Sequence, residues 1–230
     1  MKKILIIMMC LLLPASVFAI DVTKGVAFGF NNMWNTGSHW DAQLENNTPG
    51  EPDYESRFAA GFEVGFFWEI AINDFVSIQP EINFLMLRNR VNFEHEGEEY
   101  NWIGTNVFLE LPVLVKGNLA VGPGRASIYL GPSFMINLTG GNFAKYSQTG
   151  FPDYYEGGDV VTIAGVVGVG YSIPAGPGAF NFGLRYRRAL TSSGWWNAGD
   201  EPPGLTNTDP VRDNTRANIL SLRIGYGFSL

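Results

Sequence analysis

Cysteine is almost missing from this chain of 230 residues: Cys10 is the only one, and it lies inside a short apolar run near the start. The remainder therefore cannot be a disulfide framework. Histidine is nearly as scarce, with His39 and His95 alone available as imidazole bases. Charged residues make up only 16% of the chain, against about a quarter in ordinary soluble domains. No segment beyond Ala19 is apolar for the ~20 residues that a membrane-spanning helix requires. An excess of base is lacking too: 15 Lys and Arg stand against 22 Asp and Glu. That balance argues against a nucleic-acid partner, which would demand a basic stripe.

What is present begins with an export signal. Lys2 and Lys3 precede an apolar run from Ile4 to Leu13, Pro14 interrupts it, and Val17-Phe18-Ala19 follows, so cleavage is predicted between Ala19 and Ile20. The run is too short for a retained anchor. Bulky Met8 and Met9 before Cys10 argue against a lipid anchor there. Loss of the two lysines leaves 13 basic against 22 acidic residues, a formal charge of −9. The part after the signal, about 210 residues, suits a single domain.

That domain alternates. Read backwards from the terminus, Leu230, Phe228, Tyr226, Ile224, Leu222 and Leu220 are separated by Ser229, Gly227, Gly225, Arg223 and Ser221. Period two means a β-strand with one apolar and one small or polar face. Eight such segments are predicted, at 22–31, 57–70, 75–92, 100–117, 125–138, 160–173, 179–190 and 217–230. The second opposes Phe58, Ala60, Phe62, Val64, Phe66, Trp68 and Ile70 to Arg57, Ala59, Gly61, Glu63, Gly65, Phe67 and Glu69. The non-apolar faces hold mostly Gly, Ala, Ser and Asn, with about one charge each. A soluble barrel would need Lys, Glu and Asp there, whereas small residues fit the cramped interior of an eight-stranded transmembrane barrel. The apolar face is therefore expected to point outward into lipid. Pro80, Pro112 and Pro132 fall within strands and are expected to mark bulges or local irregularities. Segment 160–173 is apolar on both faces, which leaves its register open and a buried helix as the alternative.

The connections fall into two classes. Segments 32–56, 93–99, 139–159 and 191–216 are long or polar, while 71–74, 118–124 and 174–178 are short. Long loops at one end and short turns with both termini at the other is the layout of outer-membrane barrels, with the long loops extracellular and the termini periplasmic.

Particular residues carry a resemblance. Arg223-Ile224-Gly225-Tyr226-Gly227-Phe228-Ser229-Leu230 resembles the C-terminal assembly signal of outer-membrane barrels, with Arg223, Gly225, Phe228 and Leu230 at the signal positions; Leu230 stands where many members have Phe. Leu109-Glu110-Leu111-Pro112-Val113-Leu114-Val115-Lys116 and Leu184-Arg185-Tyr186-Arg187 resemble strands of the outer-membrane β-barrel domain family. The likeness covers the whole chain after the signal and extends to small OmpA-, OmpX- and OmpW-like barrels of the porin family. It implies an all-β, eight-stranded antiparallel up-and-down barrel in the outer membrane of a diderm bacterium. Outer-membrane lipid and the barrel-assembly machinery are the implied partners. Members of that group serve as anchors, adhesins or small-molecule conduits, so the fold leaves function open.

Six charges on the inward faces fall at one depth. Glu63, Glu81, Glu110, Arg185, Arg187 and Arg223 each lie about six to eight residues from the short-turn end. At ~3.3 Å per residue and a tilt near 40°, that is roughly 17 Å into the barrel. With strand three facing seven and strand four facing eight, bidentate Arg–carboxylate bridges across the lumen are expected. They read either as a structural plug or as a constriction for small solutes.

Other chemistry is sparse. Ser38, His39 and Asp41 are loop neighbours without an oxyanion hole, and no enzymatic activity is expected. Glu94, His95, Glu96, Glu98 and Glu99 lack the spacing of a calcium loop. No metal and no cofactor are expected. Trp34, Trp40, Trp195 and Trp196 are assigned to an aromatic girdle. The expectation is a non-enzymatic barrel with a structural or surface-interaction role, its loops meeting an extracellular ligand or host surface. A narrow channel, and a soluble lipocalin-like carrier of apolar ligands, are the alternatives.

Overall fold

The computed structural model describes residues 21–37, 54–95, 98–139, 142–146, 154–155, 161–191 and 216–229. Eight strands form the wall: β1 (Val22–Thr36), β2 (Ala60–Ala71), β3 (Val76–His95), β4 (Glu98–Val121), β5 (Gly124–Asn137), β6 (Val161–Ala175), β7 (Gly178–Ala189) and β8 (Arg216–Ser229). Each pairs antiparallel with its sequence neighbours. The ring closes where β1 pairs with β8, from Thr23 opposite Ser229 to Thr36 opposite Arg216. Closure satisfies the backbone groups that an open sheet edge would expose to lipid.

Tight turns close one end. Gly122-Pro123 and Gly176-Pro177 are two-residue hairpins in which the glycines take φ of 58° and 59°. A positive φ at the first turn position followed by proline matches the twist of flanking strands, and glycine adopts it without strain. These turns are shorter than expected, because β4 and β6 continue to Val121 and Ala175. Asn73 shapes the third turn: its side-chain oxygen accepts from the N–H groups of Phe75 and Val76, both at 2.9 Å.

Side-chain exposure decides the orientation. Phe62 and Leu222 are 39% and 64% exposed, whereas Glu81 and Arg185 are 3% and 1% exposed. Apolar side chains cover the outside on every wall strand, from Phe28 and Phe30 on β1 to Ile224 and Phe228 on β8. Water does not tolerate so large a continuous apolar surface, but a bilayer does. A soluble carrier with its apolar face inward is therefore set aside. Aromatic residues stand at both ends of the outer surface. Tyr171 and Tyr226 donate to the carbonyls of Val121 and Ala175 near the turns, at 2.8 and 2.9 Å. At the loop end Trp34 and Tyr186 lie 6.2 Å apart, and the Tyr186 hydroxyl donates to Asn218 at 2.6 Å. Trp34 belongs to the wall, since β1 runs five residues beyond its predicted end at 31. Trp40, Trp195 and Trp196 lie outside the described residues, as do Ser38, His39, Asp41, Glu96, Ala19, Ile20 and Leu230.

Three local details differ from the periodic pattern or resolve it. The β3–β4 hairpin extends to His95 and Glu98, so most of the predicted loop 93–99 is strand. The prolines interrupt three adjacent ladders. Pairing lapses between Phe67–Glu81 and Ile70–Ile78, between Pro80–Val113 and Asn83–Glu110, and between Pro112–Ser133 and Val115–Leu130, with unchanged register on either side. No residue is inserted, so these are gaps in hydrogen bonding and not bulges. A bulge does occur at the loop end of β2, at a position not foreseen. Phe62 faces Met86, but Arg57, in the short strand Tyr54–Arg57, faces Arg90. Four residues oppose three there, and the face presented is exchanged. Arg57, expected inward, therefore shares the outward face with Arg90.

Segment 160–173 is a strand, not a helix. Thr162, Ala164, Val166 and Gly168 turn inward, and Val161, Ile163, Val167 and Val169 outward.

An outward charge tests this orientation. Leu222→Arg should destabilise the barrel by about 2–4 kcal/mol when unfolded by urea in lipid vesicles, well beyond the effect of Leu222→Ala. Equal effects of the two would place Leu222 away from lipid.

Candidate functional site in the barrel lumen

The inward face of a narrow barrel brings side chains from opposite walls into contact, so charges there must meet partners or remain desolvated alone. Glu63, Glu81 and Glu110 come from β2, β3 and β4, and Arg185, Arg187 and Arg223 from β7 and β8. The structure gathers all six into one buried layer, none more than 8% exposed. Three positive and three negative charges leave it formally neutral.

The pairing is specific. Arg185 grips Glu81 with both terminal nitrogens, at 2.8 and 2.7 Å. Arg187 binds Glu110 through Nε at 2.8 Å and Nη2 at 3.1 Å. Such planar forks give charge-assisted hydrogen bonds their best geometry. The expected opposition of strand four to strand eight is corrected: Arg223 of β8 does not bind Glu110 but bridges the other two acids. It donates to Glu81 at 2.9 Å and lies 2.7 Å from Glu63 through Nε. That last contact is out of line for a hydrogen bond and acts as a charge pair. The reason lies in the sheet register. Gly29 of β1 stands opposite Glu63 on one side and Arg223 on the other. A Cβ on Gly29 would fall 2.9 Å from Glu63 Cγ and 3.1 Å from Arg223 Cγ, so only glycine leaves room for the two to meet.

Neutral side chains complete the network, and the periodicity did not single them out. Asn83 donates to both Glu81 and Glu110, at 2.9 Å each, and accepts from Arg223 at 3.2 Å. Ser221 accepts from Arg187 at 2.6 Å and donates to Glu63 at 2.9 Å. Ser133 donates to Glu110 at 2.9 Å, and Gln79 to Glu81 at 2.6 Å. Their signal in the sequence was inward parity alone. Arg185 also lies over the Tyr129 ring, 5.2 Å from its centroid. This is cation–π geometry, and the ring occupies the space that a side chain at Gly168 would fill.

Other layers flank this one. Towards the loop end Met33, Leu85, Leu87, Phe108, Met135, Ala164 and Ile219 form a buried apolar cluster inside the barrel. Towards the turns Lys116 and Glu69 pair at 2.7 Å, and Ser77 donates to Glu69 at 3.0 Å. Between that pair and the six charges is a cavity of about 60 Å³. A water needs some 10–15 Å³, so the cavity has room for a few waters. Among the described residues no cluster of His, Cys, Asp and Glu has the arrangement of a metal site.

The family match agrees with this architecture. The family described as outer membrane protein beta-barrel domain matches residues 16–193. Comparison with curated proteins yields no match. Among solved structures the chain is similar to Neisserial surface protein A, with 15% identity and a TM-score of 0.38 over 88% of this chain and 95% of that one. It is similar to the translocator domain of the autotransporter NalP from Neisseria meningitidis, with 11% identity and a TM-score of 0.37 over 99% and 96% of the two chains. The outer membrane protease OmpT from Escherichia coli aligns with 6% identity and a TM-score of 0.39 over 94% and 99%.

Unequal sharing within the layer ranks the substitutions. Glu81→Gln leaves two arginines short of charge and should cost about 3–5 kcal/mol of stability. Glu110→Gln affects one arginine and should cost less. Urea unfolding in vesicles measures both, and a reversed order would contradict the pairing. Gly29→Val, which adds no charge, should destabilise by about 1–3 kcal/mol through overpacking.

Proposed function

The chain belongs to the outer membrane protein beta-barrel domain family, and from that premise we propose that it is a non-enzymatic outer-membrane barrel with a sealed lumen, whose surface role is carried beyond its loop end. One observation carries the sealing: the neutral layer of six charges is backed on its loop side by buried apolar residues. An ion entering the barrel would have to break paired charges and then pass the buried apolar cluster. A conduit needs the opposite, a continuous polar path.

The loop end supports the second half of the reading. Short turns and termini occupy the other end, the arrangement in which long loops face outward from the cell and termini face the periplasm. The wall does not stop at the membrane. Beyond Met86, the last large apolar residue on the outward face of β3, nine residues of that strand continue. At ~3.3 Å each and a tilt near 40° they rise roughly 20 Å. The short strands Tyr54–Arg57, Asn142–Tyr146 and Tyr154–Tyr155 flank this extension and widen it into a sheet. Such a platform suits contact with an extracellular ligand or a host surface. The terminal strand, with Gly225 and Phe228 at signal positions, would serve the barrel-assembly machinery before Arg223 is committed to the lumen.

Planar bilayers test the seal. The refolded chain should show no single-channel steps, and removal of 38–53, 147–153 and 192–215 should leave it silent. Conductance that appears only after the loops are removed would place the seal in the loops, and conductance of the intact chain would favour a channel. An epitope inserted in 38–53 should be accessible on intact cells.

A further inference from the structure

The turn end of the lumen holds a space that the charge layer does not fill. Inward residues on β6, β7 and β8 are small there: Gly170, Ser172, Asn181, Gly183 and Gly225 all line the cavity of about 60 Å³. Register gathers them into two adjacent rows. Ser172 stands opposite Asn181 and Asn181 opposite Gly225, while two residues further in Gly170 faces Gly183 and Gly183 faces Arg223. With so little side chain on this wall, the cavity separates it from Gln79 of β3 and Lys116 of β4. The layer of six charges closes the cavity on the loop side, and half-buried Ser172 and Asn181 lie on the turn side, so a solute reaches it from the short turns.

The chemistry of the lining is one-sided. Lys116, Arg185 and Arg223 are its cations, and Glu81 is its acid. Glu81 offers the cavity no acceptor, because Oε1 already accepts from Gln79 and Arg185, and Oε2 from Arg185, Asn83 and Arg223. Donors are in surplus. The Lys116 ammonium has three hydrogens and two acceptors, Glu69 at 2.7 Å and Gln79 at 3.3 Å. Arg185 Nε has no acceptor, and Ser127 adds a hydroxyl. Asn181 gives one amide hydrogen to the Ala179 carbonyl at 3.3 Å and keeps another. Charge on the turn side has the same sign. Inward parity sets Lys116 and Arg125, the latter opposite Ser172, against Glu69, while Asp21 and Asp74 are exposed at the strand ends. An acidic chain thus turns a positive pocket, rich in N–H and O–H groups, towards its short turns.

We propose that this cavity binds one small anion, a halide or the carboxylate of a short organic acid, with Lys116, Ser127 and Asn181 as its donors. A ligand that only accepts hydrogen bonds meets the surplus of donors, and its single negative charge balances the excess of Lys116 and Arg125 over Glu69. Such an anion binds the folded barrel and not the unfolded chain, so stability rises with its concentration. It stops at the charge layer. The site therefore stands whether or not the lumen conducts, and the conductance experiment and this one fail independently.

The test uses the full chain refolded in a non-ionic detergent in sodium gluconate, whose anion is too long for a cavity of this size. Sodium chloride or sodium formate then replaces the gluconate at constant ionic strength. Either small anion should raise the unfolding temperature saturably, and the chloride NMR line should broaden with protein and sharpen again on adding formate. A response to formate alone assigns the site to carboxylates, and a response to both assigns it to halides as well. The double variant Lys116→Gln/Glu69→Gln, which removes the pair together and strands neither partner, should weaken binding about tenfold. Arg125→Gln, at an exposed position, should weaken it about threefold, and it serves as the readout if the double variant fails to refold. Asn181→Leu, which fills the cavity, should abolish the response. An unfolding temperature that does not change when gluconate is replaced, or wild-type affinity in the variants, would overturn the proposal.

Discussion

The structure depends on one constraint: a closed ring of eight strands encloses too little space to hydrate an ion, so each inward charge must find its counter-charge inside the wall. Three acids on β2–β4 and three arginines on β7 and β8 meet this requirement jointly. No pair is isolated. Glu81 serves two arginines and Asn83 ties Glu81 to Glu110, so the far walls of the cylinder are fastened through its centre.

Wall and lumen are coupled through residues with little or no side chain. Gly29 lets Glu63 and Arg223 approach over β1, and Gly168 gives the Tyr129 ring a place beneath Arg185. The wall also has weak places. Three consecutive ladders lose pairs beside Pro80, Pro112 and Pro132, close to Glu81 and Glu110. There the cross-lumen bridges supply cohesion that the backbone lacks.

The two ends of the barrel differ in the same way inside and out. Near the turns the lumen is polar, with the Lys116–Glu69 pair and the small cavity, and tyrosines tether the outer surface to the turns. Towards the loops the lumen holds the apolar cluster among buried asparagines, while the outward face of β3 passes from apolar residues to arginine.

Much of this was legible in residue order. Period two, small inward residues and segregated loop lengths determined an eight-stranded barrel with its apolar face in lipid, because strand geometry sends alternate side chains to opposite faces whatever the rest of the chain does. The same parity marked Glu63, Glu81, Glu110, Arg185, Arg187 and Arg223 as inward. It did not reveal that Arg187, and not Arg223, takes Glu110, nor that Asn83 and Ser221 join them. It also did not reveal the insertion that turns Arg57 out beside Arg90, nor that β1 continues far enough to bring Met33 into an apolar layer. Those outcomes were decided by register: the stagger between neighbouring strands sets which inward residues share a height, and that offset is a property of the closed sheet, absent from any one strand.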